Sequence, residues 1–345
     1  MPFLLNEILE LLLAGTDIDE GLAGATLEAL SQPECPPALA GAVLAALRMK
    51  GETAAEIRGF AGAMRALARR PRDAGVTGMT DIVGTGGDAS GSLNLSTGAA
   101  LLAAASGVPV MKHGNRSVSS KSGSADVLET LGMTLPLDED AAARCLVETG
   151  FSFLFAPYYH PAMKSLAAVR GAMGVRTVFN ILGPLTNPAS PPFSLIGAFS
   201  PGMAELMAES LAGTDITRAY VIHGDPGWDE ATPVGPFLMF DVTPGRVERT
   251  VRDPLEWGVP RCEPEALLGG DAAHNATRIR AVFEGEETGP HRDALVLGAA
   301  LVLELTGRVG SAPEAAMAAA RALDEGAAAG VLARLASFDR KESAG

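Results

Sequence analysis

The hydrophobic pattern of this 345-residue chain changes once, at Arg69–Gly75, and that change does most to limit the folds open to it. Residues 3 to 70 carry apolar side chains at helical spacing in four segments, near 3–14, 18–31, 36–49 and 53–70, with stops at Gly15, Gln32-Pro33 and Gly51. The basic connector Arg69-Arg70-Pro71-Arg72-Asp73-Ala74-Gly75 follows, and beyond it short β runs alternate with helices. Strands are expected at Thr80–Val83, Val108–Lys112, Phe151–Phe155, Leu195–Gly197, Ala219–His223 and Phe237–Val242. Helices are expected near 94–106, 124–131, 138–149, 202–213, 271–284, 289–307 and 311–328. Strand–helix alternation predicts a central, largely parallel sheet, because parallel neighbours need a crossover between them. The expected class is therefore α/β with an all-α part: a small helical domain over 1–72 and a large α/β domain over 73–345. Residues 160–189, rich in Gly, Pro and Asn, break the alternation and are expected to pack back on the helical unit and complete it. The Ala-rich stretch 311–336 keeps helical spacing and reads as scaffold.

With 47% hydrophobic and 20% charged residues, the chain is that of a globular protein with a sizeable core. Its 41 acidic residues outnumber 27 basic ones, for a net charge of −14. That sign opposes a nucleic-acid or anionic-membrane surface, so a phosphate site must be a local basic pocket in an acidic molecule. Cys35, Cys145 and Cys262 are scattered and lack Cys-x-x-Cys spacing, so reduced thiols are expected rather than a disulfide framework or a zinc site. Phe3–Leu13 is apolar, but Glu7 and Glu10 interrupt it and no basic residue precedes it, unlike a signal peptide. The apolar runs 101–105 and 299–305 are too short to span a bilayer. A cytoplasmic protein is the expectation.

The chemistry concentrates in four places. Lys112-His113-Gly114-Asn115-Arg116-Ser117-Val118-Ser119-Ser120-Lys121-Ser122-Gly123-Ser124 lies between a short strand and a helix, and gathers cations, hydroxyls and helix-start amides in one turn. Such a set suits a polyphosphate; a solvated Ser/Lys-rich loop is the plainer reading of the same composition. Gly84-Thr85-Gly86-Gly87-Asp88 leaves a strand for a tight turn where backbone can approach a ligand, yet it matches neither the dinucleotide fingerprint nor the P-loop. A plain βα turn is the alternative. Asn94-Leu95-Ser96-Thr97 opens the next helix, where these residues are also ordinary caps. Finally, Asp225, Asp229 and Glu230 crowd a turn after a strand; Asp229 and Glu230 suit Mg²⁺, which takes one or two carboxylates together with substrate phosphate. An exposed acidic turn is common in a chain this acidic. Arg170 could hold a carboxylate with two hydrogen bonds or form a surface ion pair.

In their order along the chain, these motifs resemble the anthranilate phosphoribosyltransferase family. The resemblance rests on Gly-Thr-Gly-Gly-Asp at 84–88, Asn-Leu-Ser-Thr at 94–97, Lys-His-Gly-Asn-Arg at 112–116, Ser-Ser-Lys-Ser-Gly-Ser-Ala-Asp at 119–126, His-Pro-Ala-Met-Lys at 160–164, Arg-Thr-Val-Phe-Asn at 176–180 and Asp-Glu at 229–230. It covers most of the chain. It implies transfer of phosphoribose from 5-phosphoribosyl 1-pyrophosphate (PRPP) to the amine of anthranilate in tryptophan biosynthesis, with Mg²⁺ as cofactor and a homodimer as the assembly. Carried over residue by residue, it implies a PRPP site of Gly84, Gly87, Asp88, Ser92, Asn94, Leu95, Ser96, Thr97, Lys112, His113, Gly114, Asn115, Arg116, Ser117, Val118, Ser119, Ser120 and Ser124. It implies Mg²⁺ at Ser96, Asp229 and Glu230, anthranilate at Gly84, Asn115 and Arg170, and His113 and His160 flanking the aromatic ring. No residue is assigned as a general base, since a neutral aryl amine can attack unaided.

Two departures from the family pattern stand out. Asp88-Ala89-Ser90-Gly91-Ser92-Leu93 replaces the commoner Asp-Gly, and Trp228 stands where a smaller aliphatic residue is usual. Neither removes an implied ligand. Pyrimidine nucleoside phosphorylases are similar in fold, but their Lys-x-Ser-Thr-Gly-Gly loop is absent here. A relative without catalysis that binds nucleic acid or a partner protein is opposed by Lys112, Asn115, Arg170, Asp229 and Glu230 together, and by the negative charge.

Overall fold

The computed structural model describes residues 2–117 and 121–338. Four helices come first: α1 (Pro2–Leu13), α2 (Glu20–Ser31), α3 (Pro37–Lys50) and α4 (Ala54–Ala66). Two of their starts, those of α2 and α4, follow capping chemistry. The Asp19 carboxylate accepts the Leu22 N–H at 2.8 Å ahead of α2, and Thr53 and Glu56 form a reciprocal capping box on α4. Glu56 is fully buried, which is tolerable because its carboxylate also takes the Ile18 N–H and the Lys50 ammonium, each at 3.0 Å. Gly59 on α4 lets that helix lie against α2; an added Cβ would meet the Ala23 methyl at 2.8 Å.

The rest of the chain is the expected alternation: β1 (Thr80–Gly84), α5 (Leu95–Ala105), β2 (Val110–Gly114), α6 (Ser124–Thr130), α7 (Glu139–Thr149), β3 (Phe151–Phe155), α8 (Ala156–Tyr159), α9 (Lys164–Met173), α10 (Phe179–Leu182), β4 (Phe193–Gly197), α11 (Pro201–Ala212), β5 (Arg218–Gly224), β6 (Phe237–Thr243), β7 (Arg246–Arg252), α12 (Ala272–Phe283), α13 (Pro290–Leu305), α14 (Ala312–Asp324) and α15 (Ala327–Ser337). Among the described residues the strands form one sheet in the order β3-β2-β1-β4-β5-β6-β7, parallel from β3 to β5 and antiparallel at β6 and β7. Two details differ from the sequence expectation. The charged strand β7 extends the sheet as an edge, and the helix expected over 311–328 is two helices, broken at Gly326 in a left-handed conformation (φ +76°).

Two hydrophobic clusters flank the sheet. One packs α5, α13, α14 and α15 on one face; the other joins the opposite face and α11 to the four-helix bundle. Residues 160–189 lie in the second: α9 packs on α2 and α3, and Val178, Phe179, Ile181 and Leu182 are buried with the bundle core. Trp228 is buried in the first cluster beneath the acidic turn. No helix among the described residues is long and apolar enough to cross a membrane.

Candidate active site

Strand order makes a crevice. The chain leaves β1 to build β2 and β3 on one side and returns to place β4 on the other, so the connections after β1 and β4 diverge at their carboxyl ends. In open α/β sheets that switch point is where ligands sit. Here both strands end in glycine, and Gly84 and Gly197 are register partners. Their missing side chains leave a slot that Asp229 fills. A Cβ on Gly84 would lie 3.0 Å from Asp229 Cγ and closer still to Oδ2; one on Gly197 would lie 2.6 Å from the Asp229 carbonyl carbon. The Asp229 carboxylate accepts the Gly86 N–H at 2.6 Å, and the Asp229 N–H donates to Asp88 at 3.3 Å. Next to it, Glu230 accepts the Ser96 N–H at the start of α5, at 3.0 Å. The structure thus brings Gly84, Asp88, Ser96, Asp229 and Glu230 into one cluster.

Two of these carboxylates, Asp229 and Glu230, act with Asp81 on one buried ammonium. Lys112, 2% exposed, reaches back along β2 to donate to the Ile82 carbonyl and stands 3.4 Å from the Ser96 hydroxyl. Burial lowers its pKa, against the pull of Asp81, Glu230 and Asp229. Burial raises the pKa values of Asp229 and Glu230, and neighbouring carboxylates, Asp88 beside Asp229 and Asp229 beside Glu230, raise them further. This all-oxygen, charge-excess set suits a hard divalent cation, which would relieve the repulsion. Deeper still, Asp81 is held by Asn187 Nδ2 at 2.8 Å and by the His113 N–H at 3.2 Å; burial raises its pKa to about 6.

The basic run is less free than its composition suggests. Arg116 is held by Asp126 at 2.9 Å and by Glu129 at 2.6 Å. Asp126 also accepts the N–H groups of Ser117 (3.2 Å) and Gly123 (2.9 Å). The Asn115 side chain accepts the Arg116 N–H, and its carbonyl takes the Ser124 hydroxyl at 3.2 Å, in the space that Gly114 leaves open. Asn94 Nδ2 donates to the Ser122 carbonyl at 3.2 Å and so joins the first loop to the second. Leu95 and Thr97 are buried in the first turns of α5, Ser92 bonds Ser90 at 3.1 Å, and Gly87 (φ +76°) turns the glycine loop under Arg176. Val118, Ser119 and Ser120 lie outside the described residues.

Residues 156–185 pack against the end of β2 through His113. His113 and His160 meet edge to face with ring centroids 5.1 Å apart. The His113 Nδ1–H donates to the Gly183 carbonyl (3.3 Å), which leaves Nε2 as the acceptor nitrogen. Burial lowers the pKa of His113 to about 3 and that of His160 to about 4, so both are neutral, and neither Nε2 has a partner among the described residues. Arg170 stands over the Phe179 ring at 4.9 Å, and no carboxylate lies within ion-pair distance among the described residues. Burial lowers its pKa.

Residues 6–68 match the helical bundle domain of a glycosyl transferase family, and residues 77–329 match the α/β domain of the same family. The chain is 45% identical to an anthranilate phosphoribosyltransferase of Desulforudis audaxviator over 338 residues, covering 98% of this chain and 97% of the relative. The chain belongs to the anthranilate phosphoribosyltransferase family. Among solved structures, the anthranilate phosphoribosyltransferase of Thermus thermophilus is 41% identical and superposes with a TM-score of 0.88, covering 96% of this chain and 98% of that one. The Saccharomyces cerevisiae anthranilate phosphoribosyltransferase, solved in complex with PRPP and Mg, is 24% identical with a TM-score of 0.89, covering 97% of each chain, and shows the shared fold. The same yeast protein has been solved with 4-fluoroanthranilate.

Within this family fold, the structure adds residues to which the sequence analysis gave no role. Arg176, stacked on Phe199 at 4.1 Å, donates to the Gly87 carbonyl, while Arg48 of α3 holds the Arg176 carbonyl at 2.6 Å. The glycine loop is thereby tied to the helical bundle. Asn187 and Asn275 each reach the site across the fold. Only the pairing of Gly269-Gly270 before a helix cap hinted at the second.

Proposed function

We propose that this protein transfers the phosphoribosyl group of PRPP to the amine of anthranilate, releasing pyrophosphate, in tryptophan biosynthesis. The observation that carries the reading is the slot between Gly84 and Gly197, where Asp229, Glu230, Asp88 and the Ser96 hydroxyl meet beside two hydroxyl- and amide-rich loops. PRPP would lie along those loops, on Gly84–Asp88, Ser92, Asn94–Thr97 and Lys112–Ser120 with Ser124. Mg²⁺ held by Asp229, Glu230 and Ser96 would supply positive charge where the departing pyrophosphate gains negative charge. The protein's own part would be preorganisation: backbone amides of the two loops would face the leaving group, with Lys112 held behind them on the Ile82 carbonyl, and no side chain is required as nucleophile.

Anthranilate would bind with its carboxylate on the guanidinium of Arg170, which Phe179 supports from below, and with Asn115 and Gly84 toward the reacting amine. His113 and His160, neutral through burial, would flank the ring without competing for its charge. Because an aryl amine is neutral at pH 7, alignment of two bound reactants can supply much of the acceleration, up to roughly 7–11 kcal/mol. The same reading takes 1–72 with part of 160–189 as the helical domain and 73–345 as the α/β domain, with a homodimer as the assembly and the cytoplasm as the location.

The test follows anthranilate fluorescence with PRPP and Mg²⁺, beside a chelated sample and Arg170→Ala. Fluorescence loss matched by pyrophosphate release, and weakened in both controls, is the expected result. No turnover, with thymidine or uridine phosphorolysis detected instead, would overturn it in favour of a nucleoside phosphorylase.

A further inference from the structure

We propose that Asn275, in the first turn of α12, is a positioning residue for PRPP that acts through Asn94; the inference rests on the PRPP site assigned above. Asn275 is 2% exposed and 181 residues from Asn94 in sequence, yet its Nδ2 donates to Asn94 Oδ1 at 2.7 Å. Its own Oδ1 accepts the Gly270 N–H at 2.7 Å. A backbone N–H can only donate, so the Gly270 contact fixes which end of the Asn275 amide is oxygen. That in turn makes Asn94 Oδ1 the acceptor and turns Asn94 Nδ2 toward the second loop, where it meets the Ser122 carbonyl at 3.2 Å. A single direction of donation therefore runs from the backbone of Gly270 through two side-chain amides to the loop that follows β2. The second hydrogen of Asn94 Nδ2 makes no bond to the described residues and is the one an anion between the loops would take.

The surroundings hold this relay in register. Leu267 accepts the Leu93 N–H at 2.9 Å, Gly269 donates to the Gly91 carbonyl at 2.9 Å, and Ser92 and Leu268 pair as an antiparallel bridge. Gly269 has no room for a side chain: a Cβ there would meet the Ser92 carbonyl at 2.7 Å and Asn275 Oδ1 at 2.8 Å. The segment 267–275 is thus a brace under the descending arm of the first phosphate loop, and Asn275 is its polar contact with Asn94.

Asn275→Asp isolates this role. Aspartate still accepts the Gly270 N–H, so the turn keeps its bond, but it offers a second acceptor to Asn94 and reverses that amide. Calorimetric titration of PRPP in the presence of Mg²⁺ and steady-state kinetics on the full chain read the effect. The expected result is a Kd and a KM for PRPP raised about 10- to 100-fold, the range for outer-shell partners, with the anthranilate KM within about 2-fold of wild type. In an Asn94→Ala background the same substitution changes the PRPP Kd by less than about 2-fold, because the group it acts through is gone. An equal fold-change in both backgrounds would assign the effect to the new charge alone and overturn the inference, as would an unchanged PRPP Kd in the single variant. If Asn275→Asp fails to fold, Asn275→Ser takes its place in the same cycle with the same deciding outcomes. Wild-type protein that binds PRPP without transferring it to anthranilate would overturn the assigned reaction and leave the Asn275 test standing; wild type that does not bind PRPP overturns both.

Discussion

Gly84→Ala and Gly197→Ala add the same methyl group to opposite walls of one slot, and the structure separates their consequences. At Gly84 the new Cβ meets the end of a side chain: the Asp229 carboxylate must retreat by about 1 Å to reach ordinary contact, which breaks its 2.6 Å bond from the Gly86 N–H. A hydrogen bond to a charged acceptor is worth about 1.5–3 kcal/mol, so kcat/KM should fall roughly 10- to 150-fold. The loss should be concentrated in a higher Mg²⁺ requirement. The fold should survive, with Tm lowered by no more than about 5 °C, because only a side-chain terminus moves. At Gly197 the Cβ meets the backbone carbonyl of Asp229, 2.6 Å from its carbon, and the whole turn must shift. That variant should lose more than about 4 kcal/mol of stability. Anthranilate fluorescence during Mg²⁺ titration, beside urea denaturation, reads both. A Gly84→Ala enzyme with unchanged Mg²⁺ half-saturation, or a Gly197→Ala protein as stable as Gly84→Ala, would refute the assignment of Asp229 to the slot.

Ala89 sits at φ +58°, in the glycine loop where the family pattern has glycine. The left-handed penalty of about 1–2 kcal/mol exceeds the extra unfolded-state entropy of glycine, about 0.4–1 kcal/mol, so Ala89→Gly should stabilise the protein by about 0.5–1 kcal/mol in urea unfolding, and any destabilisation would count against the observed backbone. His113 and His160 are held neutral in the folded state, with pKa values of about 3 and 4, whereas unfolded histidine takes a proton near 6.5. Below pH 6.5 the unfolded chain therefore binds protons that the native state refuses, and each histidine lowers stability by up to ~1.4 kcal/mol per pH unit as pH falls toward about 4. The stability–pH slope of His160→Gln between pH 6 and 4.5 should be shallower than wild type by about that amount; parallel curves would show the ring to be protonated in the native state. Arg176→Met keeps the stem over Phe199 but removes the donor to Gly87, and a net bond worth about 1 kcal/mol should raise the PRPP KM about 5-fold, a change that initial-rate measurements resolve.

The order of helices and strands was legible because each element carried its own periodicity. β7 escaped because Arg246, Glu248, Arg249 and Arg252 charge both faces of an edge strand, a device that keeps edges from pairing with other chains and also erases the apolar signal. The turn before it, Pro244-Gly245 with Gly245 at φ +72°, was the readable cue. Likewise, alanine-rich spacing ran straight through Gly326, and only the left-handed conformation of that glycine separates α14 from α15. Of the candidate site, the sequence singled out only stretches contiguous along the chain: the glycine turn, the Ser/Lys-rich run and the acidic pair. The pairings of Asp81 with Asn187, 106 residues apart, and of Asn94 with Asn275 were not legible, since an asparagine that satisfies a buried partner looks the same in sequence as one on the surface.

The electrostatics of the basic run was illegible for a related reason. Composition counts Lys112 and Arg116 as cations for a phosphate, yet in the fold Arg116 is bound by Asp126 and Glu129, and Lys112 lies among Asp81, Glu230 and Asp229. Lys112 is buried, and left bare it would carry its desolvation cost without compensation; Arg116 is half-exposed, and its two carboxylate partners occupy the guanidinium instead. With both already paired internally, the proposed PRPP site would draw its attraction mainly from a cation accompanying the ligand and from oriented amides and hydroxyls, which carry no net charge to desolvate. The Ser, Gly and Asn content of the two loops follows from that requirement, and so does the brace that Asn275 and Arg176 give them: neutral donors bind by direction, and direction has to be held by the residues behind them.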